Sequence, residues 1–66
     1  MSIVATNVNR IIEEKGYKKS AIARKANMKP QDISDILAGR KVIRAEHIPL
    51  LANALEVEPN DLFRVE

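Results

Sequence analysis

The chain contains no cysteine, so neither a disulfide nor a thiolate site can form. That fits a reducing interior and removes the usual staple of a small secreted domain. No apolar run is long enough to cross a bilayer. No segment combines a basic start with an apolar centre, as a signal peptide would, and Ser2 to Asn9 mixes polar and apolar residues. These absences predict a soluble, cytoplasmic chain. Histidine occurs once, as His47, and its neighbour Glu46 would point off another way on a helix. A lone imidazole builds no metal site without recruiting scattered carboxylates. Glycine occurs twice, and Gly16 and Gly39 both read as helix ends, which leaves no glycine-rich phosphate loop. Glu13 and Glu14 diverge on their helix and read as a solvated face. The expectation is therefore no enzyme, no metal and no cofactor.

What is present is small. Residues 1–66 read as one domain with a thin core. A chain of this size buries only about 60 % of its unfolded surface, so stability is expected at the low end of roughly 5–15 kcal/mol. The net charge of +2 is unevenly spread. Residues 10–44 hold ten Lys or Arg against four acids, a local +6, whereas residues 45–66 hold one base against five acids, a local −4. A basic body with an acidic C-terminal part suits a polyanion on one side only, although a solvated surface with incidental clustering would look the same.

The periodicity predicts five helices and no strand. Val4, Val8, Ile11, Ile12 and Lys15 keep the spacing of one helical face, with Ser2 as cap, Gly16 as a left-handed end and Tyr17 folding back. A second helix is expected over about Lys19–Ala26 and a third over about Pro30–Ala38. Pro30 fits a first turn, Asp32 suits the positive end of the dipole, and Gly39 closes the helix. Arg40–Arg44 follows as a basic loop. A fourth helix covers about Glu46–Leu55, where Pro49 is harmless only within the first turn. A short fifth helix opens at Pro59 and turns Leu62 and Phe63 inward.

The stretch Lys19–Leu37, KSAIARKANMKPQDISDIL, is the most informative. Ile22, Ala23, Ala26, Met28, Ile33 and Ile36 are placed to join two helices, with Ala23 where a larger side chain would wedge them apart. Asn27 falls at the turn and is one of the few residues besides glycine that tolerate a left-handed backbone. This is the recipe of a helix-turn-helix, which presents its second helix outward.

The order of these parts, followed by IPLLANALEVEPNDLF, resembles the lambda-repressor or Cro-type (Xre-type) helix-turn-helix family across about residues 4–63. The resemblance implies an all-α, five-helix domain that binds operator DNA, usually as a homodimer. Phage repressors, restriction-modification controllers and antitoxins share it. Three positions depart from the family's habits. Lys19 stands where Gln is frequent, Asn27 where Gly is, and Lys29 where Ser or Thr would cap the helix.

In that arrangement the third helix enters the major groove and its early residues meet base edges. Gln31 is the first base-reading candidate, because its amide matches N6 and N7 of adenine. Ser34 can serve base or phosphate, Lys29 a guanine edge or phosphate, and Asp35 the amino group of cytosine or a neighbouring lysine. Asp32 is expected at the helix terminus. Phosphate contacts are expected from Lys18 and Lys19, from Arg40, Lys41 and Arg44, and, by resemblance, from Arg10. Lys15, Arg24 and Lys25 read as solvated charges.

One copy makes too few base contacts to single out a site, so a homodimer spanning half-sites about 34 Å apart is expected. Val57, Phe63 and Val65, within residues 56–66, form its candidate surface unless Val57 and Phe63 belong to the core. The competing reading is a protein-interaction module that keeps the fold without DNA, for which Asp32 and Asp35 are the main support. A repressor masked by an antirepressor or toxin protein combines the two.

Overall fold

The helix α1, Ile3–Lys15, begins where the Ser2 hydroxyl accepts from the Ala5 N–H at 3.1 Å. It ends at Gly16, whose φ of 69° lets Tyr17 N–H return to the Ile12 carbonyl at 3.0 Å. In this computed structural model, which describes residues 2–65, α2 follows as Lys19–Lys25, α3 as Pro30–Leu37 and α4 as His47–Leu55. The expected short fifth helix is a 3₁₀ helix, Pro59–Phe63. No strand occurs among the described residues, and no helix there is long and apolar enough to cross a membrane.

The turn between α2 and α3 follows the predicted chemistry. Asn27 adopts φ 57°, and Met28 N–H reaches back to the Ala23 carbonyl at 2.9 Å. Pro30 opens α3, where its missing N–H has no helical partner to lose. Neither Lys18 nor Lys29 caps its helix with its side chain, as an ammonium without acceptor atoms must leave it. Because α4 starts at His47 rather than Glu46, Pro49 stays in the first turn and causes no kink.

Val8, Ile22, Ile33, Leu51, Leu55 and Leu62 form the middle of one continuous core. Each such side chain contributes about 1.5–3 kcal/mol on burial. Ala23 is fully covered, and α2 packs against both α3 and α4. Met28 packs against the cluster as predicted. Ile36 differs from expectation: it is buried, but outside the main cluster, beside Ser2 and Ile43 under the basic loop. Phe63 also differs. Leu62 takes the inward position of the 3₁₀ turn, and Phe63 stays 51 % exposed.

Two long-range ties were invisible in the periodicity. Asn7 Nδ2 donates to the carbonyls of Leu62 and Arg64. Lys15, read from sequence as a solvated charge, donates from Nζ to the Leu55 carbonyl at 3.3 Å and lies 5.8 Å from the Tyr17 ring centroid. A cation there meets the negative end of α4.

Candidate nucleic-acid interface

Burying Ile33 and Leu37 against the core turns the other side of α3 outward. Lys29, Pro30, Gln31, Ser34 and Ala38 are exposed there, with Asp32 and Asp35 partly covered. The four candidate base-reading positions, Lys29 at the cap and Gln31, Ser34 and Asp35 within α3, therefore lie along one outward-facing stretch. Lys18 and Lys19 are exposed at the start of α2, on the other side of the turn. Lys18, Lys19 and Lys29 make no ion pair among the described residues.

The basic loop is folded back onto the same helix. Gly39, at φ 83°, ends α3, after which the N–H groups of Arg40 and Lys41 both donate to the Asp35 carbonyl. The side chains repeat the connection. Arg40 Nε donates to Asp35 Oδ1 at 3.0 Å, and Lys41 Nζ donates to Asp32 Oδ1 at 2.7 Å. The Lys41 ammonium holds the Asp32 carboxyl below the usual carboxylate range, chiefly through that hydrogen bond, while partial desolvation opposes it. Gln31 Nε2 also donates to Asp35 Oδ1 at 3.0 Å. The two acids on the helix expected to enter the groove are thus neutralised from within the chain.

The other cations divide. Arg44 lies 3.7 Å from Glu46, with both side chains largely exposed, and its N–H donates to His47 Nδ1 at 3.2 Å. Arg10 engages Glu14 at 3.1 Å and Asn7 Oδ1 at 3.2 Å, on the seam between α1 and the C-terminal turn. Arg24, read as an ordinary solvated charge, lines the same open cleft as Ser20, Lys29 and Pro30. Its spacing from the turn is the one sequence signal that would have placed it there. Among the described residues no group of three or more His, Cys, Asp or Glu is placed to hold a metal ion.

The geometry matches known proteins at two levels. A crystal structure of the restriction-modification controller protein C.AhdI from Aeromonas hydrophila superimposes with a TM-score of 0.85, covering 92% of each chain at 21% identity. That likeness establishes the fold. Comparison with curated protein sequences returns no match. The helix-turn-helix family model matches residues 8–62, most of the chain. The chain belongs to the Cro/C1-type helix-turn-helix family of DNA-binding transcriptional regulators.

Proposed function

We propose that this domain is a sequence-specific repressor of phage or controller type that reads the major groove with α3. One observation carries the reading. The exposed face bearing Gln31, Ser34 and Lys29 has Arg40 and Lys41 folded back onto it, so that its two carboxylates are already paired, and Lys18 and Lys19 stand exposed at the start of the preceding helix. Gln31, Ser34 and Lys29 meet base edges, and Asp35 shares their face. Lys18, Lys19, Arg40, Lys41 and Arg44 meet phosphates, with Arg10 as an outer contact. The internal neutralisation of Asp32 and Asp35 removes the main support for a domain that had given up DNA.

The active species is a homodimer in the cytoplasm, its two copies set on successive major grooves and joined through the surface around Phe63 and Val65. The controller protein of the same fold supports the regulatory role, in which an antirepressor or toxin protein would act by covering the α3 face.

Selection from random duplex DNA tests the proposal, because it returns half-site, spacing and symmetry together. A palindromic motif with half-sites about 34 Å apart is expected. If about four phosphates are neutralised per subunit, the logarithm of affinity falls with the logarithm of salt at a slope near about −7 for the dimer. Charge reversal at Lys19 and Arg40 should abolish binding. No enriched motif, together with binding indifferent to salt, would refute the proposal.

A further inference from the structure

Asp35 stands one helical turn beyond Gln31, and the polar groups around it converge on it. Its Oδ1 accepts from Gln31 Nε2 and from Arg40 Nε, both at 3.0 Å, with Arg40 Nη2 also 3.0 Å away. Its backbone carbonyl accepts from Arg40 N–H at 2.8 Å and Lys41 N–H at 3.2 Å. One residue therefore holds both the glutamine of the exposed helix face and the start of the basic loop.

An ionised carboxylate only accepts hydrogen bonds. Gln31 must therefore turn its nitrogen toward Asp35, which sends its carbonyl oxygen the other way. The two ends of the amide, interchangeable on a free glutamine, are made distinct. Resting on the DNA-reading function above, we propose that Asp35 is a positioning residue. It fixes the polarity of the Gln31 amide and seats Arg40 beside it, so that the two side chains approach the duplex as a preset pair. Gln31 then presents an acceptor oxygen and its remaining N–H, the complement of the N6 donor and N7 acceptor of adenine. Presetting the rotamer removes ordering that binding would otherwise have to impose. In this proposal Asp35 acts through Gln31 and Arg40, the two donors that converge on its Oδ1, and not through a base contact of its own.

The test compares the wild-type chain with Gln31→Ala, Asp35→Ala and the double variant in selections from random duplex DNA. Thermal melting confirms that each is folded, which the exposed position of the cluster favours. Gln31→Ala should lose about tenfold or more of the preference at one base pair per half-site. Asp35→Ala should weaken preference at that same base pair, and the double variant should be no worse there than Gln31→Ala. Two results overturn the proposal: a preference changed at a different base pair, which makes Asp35 a reader, or an unchanged motif, which makes Gln31 self-sufficient. A wild-type chain that enriches no motif overturns the DNA reading itself, and that failure is distinct from the other two.

Discussion

Asn7 and Leu62 lie fifty-five positions apart in sequence and are joined by a 2.8 Å hydrogen bond from Asn7 Nδ2 to the Leu62 carbonyl. The same nitrogen reaches the Arg64 carbonyl at 3.0 Å, so one buried amide holds the C-terminal turn against α1. Asn7→Ala leaves these carbonyls without that donor. Losing the partner of a buried polar group costs about 1–3 kcal/mol. At roughly 4–8 °C per kcal/mol for a domain of this size, the melting temperature should fall by about 4–24 °C. Calorimetry checks this, and a variant melting with the wild type would show the tie to be dispensable.

Glu56 ends α4 at φ 58°, a left-handed conformation that a glutamate side chain disfavours by about 1–2 kcal/mol. Glycine carries no such penalty but loses more chain entropy on folding. Glu56→Gly should therefore stabilise the domain, by up to about 1 kcal/mol or about 4–8 °C in melting temperature. Asn27→Gly, at φ 57°, should gain less, because asparagine already tolerates this region. Equal gains at both sites, or a loss at Glu56, would contradict the argument.

These positions show how far the sequence could be read. The Ser2 cap, the Gly16 end, the left-handed Asn27 and Pro30 at the start of α3 all follow from chemistry within a few residues, and each appears in the structure. Glu56 carries no such local signal. Periodicity identified most of the core, but the Pro59–Phe63 segment is too short to show one, and there Leu62 is inside and Phe63 outside. The outward-facing candidates on α3 were legible from helical spacing, since Ile33 and Leu37 claim the inward face. The Asp32–Lys41 and Asp35–Arg40 pairs were not, because they depend on the loop doubling back onto its own helix.

The Asp32–Lys41 pair has a pH signature. The Lys41 hydrogen bond lowers the folded-state affinity of Asp32 for a proton. The pair's contribution is therefore fully present above the ordinary aspartate value of about 3.9 and is lost as pH falls through the lower folded value. A carboxyl-carbon NMR titration should place the Asp32 midpoint below that of an ordinary aspartate. Lys41→Met should move it upward, with little change in stability near neutral pH, since exposed ion pairs contribute little. A midpoint indifferent to Lys41→Met would show that the contact does not persist in solution.

Phe63 allows the proposed dimer to be tested apart from the fold. It is 51 % exposed and Val65 is 80 % exposed, whereas Leu62, beside them, is fully buried. Leu62 therefore anchors the 3₁₀ turn and Phe63 contributes little to the isolated domain. Phe63→Ser should change monomer stability by only about 0.5 kcal/mol, as exposed substitutions usually do. If the two copies meet at this surface, the same substitution removes an apolar anchor from the interface and should be felt strongly there. Sedimentation in the presence of a selected duplex should then show two subunits per duplex for the wild type and one for the variant, with cooperative occupation of the two half-sites lost. Phe63→Ser that still assembles two subunits cooperatively would remove this surface from the interface. A large loss of thermal stability would instead return Phe63 to the core of the domain.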